Sequence, residues 1–223
     1  MVKFEQIKGF VFDLDGVIAS TSVYHGKAWH QLADELGVAW SDDLANQLKG
    51  VGRMDSLNLI LKSGGKENDY TEEEKVKYAT KKNENYLNLL KGLTDDDILP
   101  GMKEFIEDLD AHNYLISLAS SSKNSPKVLE ALDLAKYFNE RVDPDTLTHG
   151  KPDPEIYTRG AEILNLKPEE CIGLEDAVAG VKSINGAHET SVGIGDPKIL
   201  NEADINFTDT SQVTLENIKK AMD

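Results

Sequence analysis

From residue 100 to the C-terminus the chain repeats one pattern: a short apolar run, then an amphipathic stretch with helical spacing. MKEFIEDLDAH reads as helix and YLISLAS as strand. SPKVLEALDL reads as helix, with Ser125 as N-cap and Pro126 at the first helical position. DPEIYTRGAEILN repeats that device with Asp153 and Pro154. CIGLED reads as strand, DAVAGVKSING as a helix ended by Gly186, and SVGIG as strand. Such alternation folds as a parallel sheet with helices packed on its faces. One earlier strand, KGFVFD at 8–13, precedes a block without strand signals from about 21 to 92. There YHGKAWHQLADELG, SDDLANQLKG, MDSLNLILKSGG and TEEEKVKYATKKNENYLNLLKG space their apolar residues by three or four and stop near glycines. Thr71 and Glu74 form a capping box before the last of these. The expected class is α/β: a three-layer, Rossmann-like core with a parallel sheet (residues 1–20 and 93–223), and an all-helical cap domain (21–92) inserted after the first strand.

The chain has 223 residues, enough for such a core with a small accessory domain. No apolar run approaches the length of a membrane-spanning helix, and Asp13 cuts short the only early apolar run, so no signal peptide is expected. The single cysteine, Cys171, excludes an internal disulfide framework, fits a reducing cytoplasm and sits in a strand-like run as a core residue. The formal net charge is −16, with Lys and Arg scattered. That composition argues against nucleic acid or an anionic membrane as partner. An anionic ligand would need cations concentrated locally, or a metal.

Ligands of open parallel sheets collect at the carboxyl ends of the strands. Four polar groups fall there: Asp13 with Asp15, Ser120, the segment His149-Gly150-Lys151, and Glu175 with Asp176. Acids at helix starts serve as N-caps, which accounts for any one of these. Four uncompensated carboxylates at one edge would repel strongly, and hard oxygen donors in that number, without Cys or His among them, suit Mg2+. Lys151 and Ser120 add a cation and a hydroxyl for an anion beside the metal. The set suits phosphoryl transfer, with Asp13 as nucleophile and Asp15 as general acid and base.

DLDGV at 13–17, the strand ending in Ser120, the Lys151-Pro152 pair and GLEDA at 173–177 resemble, in order and separation, the four motifs of the haloacid dehalogenase superfamily. The resemblance implies that Asp13 is phosphorylated. It also implies that one Mg2+ per chain is held by Asp13, Asp15 (through its backbone carbonyl), Glu175 and Asp176. Within the superfamily the whole chain is similar to the β-phosphoglucomutases, through YHGKAW at 24–29, LKGVGR at 48–53, KKNENY at 81–86 and LASSSKNSP at 118–126. That likeness implies an isomerase of sugar phosphates with β-glucose 1,6-bisphosphate as activator and intermediate. Ser120, the Ser121 amide and Lys151 would hold the transferring phosphate; Arg53, Ser122, Lys123 and Asn124 would hold a distal one. Thr21 and His25 would set the position of Asp15 as the cap closes. Trp29, Lys49, Gly50, Val51, Gly52, Ser56 and Lys82 would line the substrate site. The chain departs from the pattern at Gly52, where a serine is expected, and at Ser20, where relatives often carry Asp.

From residue pattern alone, Lys82 reads as a solvated helix residue, and Trp29 and Trp40 read equally as core. His30, His112, His149 and His188 read as surface or loop residues, and Asp42-Asp43 and Asp95-Asp96-Asp97 as turns or helix starts. A monomer is expected. The alternative activity is a sugar-phosphate phosphatase, in which water takes the phosphoryl group; a non-catalytic protein on the same fold is disfavoured by the complete motif set.

Overall fold

The computed structural model describes residues 2–223. Strand β1 (Gly9–Phe12) is buried along its whole length, as a central strand covered on both faces must be. Its side chains alternate between faces. Phe10 and Phe12 pack edge-on against Phe105, Phe138 and Tyr114 on one side, while Val11 joins Tyr157 and Ala161 on the other. Four helices follow β1: α1 (Ser22–Glu35), α2 (Asp42–Gln47), α3 (Arg53–Ser63) and α4 (Glu72–Leu90). They enclose a hydrophobic cluster of their own, built on Trp29, Leu32, Leu57, Ile60 and Leu61. The capping box is present: the Thr71 hydroxyl accepts from the Glu74 amide at 3.3 Å, and the Glu74 carboxylate from the Thr71 amide at 2.8 Å.

The chain then alternates: α5 (Met102–Ala111), β2 (Leu115–Leu118), α6 (Ser125–Ala131), β3 (Glu140–Arg141), α7 (Glu155–Ile163), β4 (Cys171–Glu175), α8 (Val178–Ala187), β5 (Thr190–Ile194), β6 (Ile205–Phe207) and α9 (Leu215–Met222). Among the described residues these strands form one parallel sheet of order β3-β2-β1-β4-β5-β6. The β3 and β6 strands were not expected, because two and three residues are too few to carry a periodic signal.

Three helix boundaries differ from expectation. Helix α6 starts at Ser125 and its cap position is Asn124, whose side chain is engaged elsewhere. Helix α7 starts at Glu155 after Pro154, with the Asp153 carboxylate accepting the Glu155 amide at 2.9 Å. Helix α8 runs through Gly186 and ends at Ala187, capped by His188 in the left-handed conformation (φ 67°). Gly186 is small for a different reason: a Cβ there would lie 3.2 Å from the Pro154 ring, so it permits the approach of α8 to the start of α7.

Two chain segments connect the helical insert to the sheet, and Asp97 clasps them. Its backbone carbonyl accepts from the Ser20 amide at 2.8 Å, and its carboxylate accepts from the Ser20 and Tyr24 hydroxyls at 3.2 and 2.8 Å. Asp95–Asp97 forms a single 3-10 turn, as its place at a turn or helix start suggested.

Candidate active site

Strand order reverses at β1, with β2 on one side and β4 on the other, which opens a crevice at their carboxyl ends. Asp13 follows β1, and Glu175 ends β4 beside Asp176. Lys151 reaches between them, donating to Asp13 Oδ1 at 2.7 Å and to Glu175 Oε1 at 2.5 Å. The other Glu175 oxygen accepts from the amides of Asp176 and Ala177 at 3.0 and 3.1 Å. Glu175 therefore holds Lys151 and the turn after β4 in one piece, and it is fully buried.

Burial opposes the charge on Lys151, but Asp13 and Glu175 outweigh it and keep the ammonium above the usual lysine range. Burial raises Asp13 well above the ordinary carboxylate value; Lys151 counters that, and Glu175 and Asp15 add to it. Burial, with the neighbouring Glu175 charge, pushes Asp176 up to about 7. Asp13, Glu175 and Asp176 each offer an oxygen within 4.8 Å of the others. Gly16, at φ 90°, leaves the space for this group, since a Cβ there would fall on the Asp176 carboxylate. Buried acids that protonate at the expense of their ordinary charge are the donor set a divalent cation would relieve. The residues fit Mg2+.

The Asp15 side chain lies outside that group. Its carboxylate accepts from the Thr21 hydroxyl at 2.6 Å and stands 3.6 Å from His25 Nε2. The four acids thus do not crowd one point: three face one another and the fourth turns toward the helical insert. His25 Nδ1 meets Lys82 Nζ at 2.7 Å, and the His25 ring stacks on Tyr86 with centroids 3.8 Å apart. Burial, then Lys82 and Arg53, hold His25 well below the usual histidine range, so the ring is neutral, with Nδ1 facing the Lys82 ammonium and Nε2 without a hydrogen-bond partner among the described residues. The reading of Lys82 as solvated is corrected. It is 3% exposed, with its ammonium 4.5 Å from the Trp29 ring centre and 5.1 Å from that of Tyr86. Burial draws it down to about 7 against the pull of Asp15. Trp29 thus serves both readings, packed in the cluster of the insert and presenting a ring to Lys82.

The loop after β2 joins this crevice to the insert. The buried Ser120 hydroxyl accepts from the Ser122 amide at 3.1 Å, and Ser121 donates to the Gly50 carbonyl at 2.9 Å. Gly50 needs its freedom: φ is 71°, and a Cβ would touch Ala177 at 3.4 Å and the Lys151 stem at 3.8 Å. Ser56 donates to the Val51 carbonyl at 3.3 Å, shaping the Val51-Gly52 turn before Arg53 at the start of α3. Lys49 is exposed, and its charge lowers Asp176. Lys123 pairs with Asp145, whose charge also acts on Arg53. Lys49, Arg53, Lys82, Lys123 and Lys151 thus stand around the crevice of a chain of net charge −16, Lys123 paired with Asp145 and Lys151 with Asp13 and Glu175.

Three contacts escaped sequence reasoning. Asn83 Oδ1 accepts from both Arg53 Nη2 and Asn124 Nδ2, each at 2.8 Å. Tyr86 is fully buried against His25. Asp145 meets Lys123. Asn83 and Tyr86 stand in KKNENY beside Lys82, the one side chain of that motif the sequence singles out. His149, read as a loop residue, gathers with Asp153 and Glu155, but both carboxylates already accept backbone amides of their own loop.

A parallel sheet of this order, with an acid after β1, a buried lysine and an acid pair after β4, defines a phosphoryl-transfer type of site. Residues 7–188 match the family of haloacid dehalogenase-like hydrolases, and the chain belongs to that family. Its members generally use Mg2+. A β-phosphoglucomutase of Bacillus subtilis (strain 168) is 41% identical over 210 residues, which is 94% of this chain and 93% of that protein. The crystal structure of β-phosphoglucomutase from Clostridium difficile matches with a TM-score of 0.94 at 40% identity, covering 97% of both chains. A phosphorylated carbohydrates phosphatase of Thermotoga maritima is 30% identical over 183 residues, covering 81% of this chain and 82% of that protein. Among the described residues no helix is long and apolar enough to cross a membrane.

Proposed function

We propose that the chain is a β-phosphoglucomutase, interconverting β-D-glucose 1-phosphate and glucose 6-phosphate through an aspartyl phosphate. The observation that carries the reading is a second cluster of cationic and amide side chains besides the groups at Asp13. Lys151 and Ser120 stand at the nucleophile, while Arg53, Asn124 and Lys123 gather at the other end of the 120–124 loop. A phosphatase needs one phosphate site; a hexose phosphorylated at both ends needs two.

In this reading Asp13 attacks the phosphorus of bound β-glucose 1,6-bisphosphate, and the bond to the sugar oxygen breaks. Asp15 delivers a proton to that oxygen; in the reverse sense it takes the proton of the attacking hydroxyl. The short bond from Thr21 holds the Asp15 carboxyl at the cleft, with His25 Nε2 standing 3.6 Å away. Lys151 neutralises charge beside Asp13, and Ser120 with the Ser121 amide binds the transferring phosphate. Asp13, the Asp15 backbone carbonyl, Glu175 and Asp176 would hold one Mg2+, and Glu175 also fixes Lys151 and the turn that bears Asp176. The metal would supply charge neutralisation at the transferring group. Arg53, Ser122, Lys123 and Asn124 bind the distal phosphate, while Lys49, the Gly50–Gly52 turn, Ser56, Trp29 and Lys82 border the sugar.

Residues 21–92 act as a cap on the core formed by 1–20 and 93–223. The cap turns about the two segments clasped by Asp97, and closure excludes water from the phosphoenzyme. The enzyme works as a cytoplasmic monomer.

The test supplies purified protein with Mg2+, β-glucose 1-phosphate and a trace of β-glucose 1,6-bisphosphate. Glucose 6-phosphate and free phosphate are followed in parallel. Stoichiometric glucose 6-phosphate with negligible phosphate is the expected result. Phosphate release equal to substrate loss makes the protein a phosphatase, the activity carried by the name of its Thermotoga maritima relative.

A further inference from the structure

We propose that Asn83 is a positioning residue that aligns the two arms of the distal phosphate site, Arg53 and Asn124, across the gap between cap and core. The inference rests on the reading of Arg53 and Asn124 as distal-phosphate ligands and adds the group that orients them.

Asn83 lies on α4, one position after Lys82. An amide oxygen has two acceptor directions. Here both are used: Arg53 Nη2 donates from the start of α3, and Asn124 Nδ2 donates from the loop after β2. The two donors belong to segments 71 residues apart, one in the insert and one in the sheet half. One oxygen therefore registers both to a common point.

What this does to Arg53 follows from its chemistry. A free arginine side chain samples many rotamers, and binding a phosphate would have to freeze them. One guanidinium N–H is committed to Asn83, and the remaining donors keep the fixed fork that suits a phosphate. Asn124 is only 6% exposed, so without the Asn83 oxygen its amide would lose this partner inside the protein. A second bond spans the same gap, from Ser121 to the Gly50 carbonyl, beside the transferring-phosphate end of the loop. Each end of the 120–124 loop is thus tied to the insert by its own hydrogen bond. The Asn83 bond serves the distal end, so Asn83 acts on ligands that carry a distal phosphate and leaves single-phosphate chemistry at Asp13 alone.

The experiment compares the parent with Asn83→Leu, which keeps the branched side-chain shape and removes the acceptor, and with Asn83→Ser as a milder change. Three readouts are taken: KM and kcat for β-glucose 1-phosphate, KM for β-glucose 1,6-bisphosphate, and the rate of Asp13 phosphorylation by acetyl phosphate, a donor with no distal phosphate. Loss of one charge-assisted hydrogen bond predicts both KM values raised about 10- to 100-fold. The acetyl phosphate rate should stay within about 3-fold, as expected for a group remote from that step. In an Arg53→Ala, Asn124→Ala background Asn83→Leu should add less than about 3-fold to KM, since its effect acts through those two ligands. Unchanged KM in both variants, a parallel fall of the acetyl phosphate rate, or full additivity with that double variant would overturn the proposal. The bisphosphate KM reads the same contact whether the product is glucose 6-phosphate or free phosphate, so a phosphatase outcome leaves this test standing. A parent that consumes neither sugar phosphate removes the distal site and the proposal with it.

Discussion

Gly180→Ala sets helix propensity against the packing of the site, and the two predict opposite signs. Gly180 lies in the first turn of α8, where alanine would ordinarily stabilise the helix by up to about 1 kcal/mol. In this fold a Cβ at Gly180 would overlap the Glu175 carboxyl group. That carboxylate cannot yield cheaply, because one oxygen holds Lys151 at 2.5 Å and the other holds the Asp176 and Ala177 amides. If helix and strand give way, overpacking costs about 1–3 kcal/mol. If the carboxylate gives way, a buried ion pair is broken at a cost of about 3–5 kcal/mol. Less a propensity gain of about 1 kcal/mol, the net loss is about 0–2 kcal/mol in the first case and about 2–4 kcal/mol in the second, and the second lowers Tm by roughly 4–16 °C for a chain of this size. Thermal unfolding with turnover measured at 25 °C checks it. Displacing Glu175 also frees Lys151 from one of its two anchors, so kcat should fall by at least about 10-fold, the equivalent of one lost charged hydrogen bond. A variant with Tm equal to or above the parent would refute the claim that Glu175 is locked against the α8 backbone.

The other predictions concern single buried or capping groups. Gly52 is the N-cap of α3 with extended backbone angles that suit serine. Gly52→Ser should add a few tenths of a kcal/mol to stability, and a regained hydroxyl contact should lower KM for β-glucose 1-phosphate by about 2- to 10-fold, both read by melting and steady-state assays. Burial draws Lys82 down to about 7 in the folded chain from the ordinary 10.5 of the unfolded one. The unfolded chain therefore binds more protons between those values, and stability should rise with pH there by at most about 1.4 kcal/mol per pH unit. Urea midpoints of the parent and Lys82→Met across pH 7–10 test this, and the variant should lose that rise. Glu189 is buried with neither carboxylate oxygen paired, and burial holds it protonated well above its ordinary 4.5. Here the folded chain binds more protons, so the contribution runs the other way, falling as pH climbs above about 4.5. Glu189→Met should gain about 1–3 kcal/mol at pH 7 and less at pH 5; an equal gain at both values would refute the assignment.

The sequence by itself determined the α/β class, the helical insert after β1 and the line of groups at strand ends. Each of these is written in local periodicity or in short motifs: FVF ending at Asp13, the glycines that stop the insert helices, CIGLE running into Asp176. The converging set of Asp13, Glu175 and Asp176 was legible because parallel strands put their carboxyl ends on one edge whatever lies between them, whereas Lys151, expected at a strand end, stands in the long loop between β3 and α7 and reaches that edge from there. The tertiary structure decided what local pattern does not encode. Lys82 sits in a stretch whose polar neighbours suggest solvent, yet the fold lays its ammonium between Trp29, Tyr86 and His25. Asp15 has the same charge as Asp13 two residues away, but the backbone turn at Gly16 and the Thr21 hydroxyl send its carboxylate the other way. Asn83 could be singled out only once α4 had been brought against the 120–124 loop, since a neutral amide has no charge or period to announce it. Short strands such as β3 were equally silent, because two residues take their pairing from the neighbouring strand and not from any preference of their own.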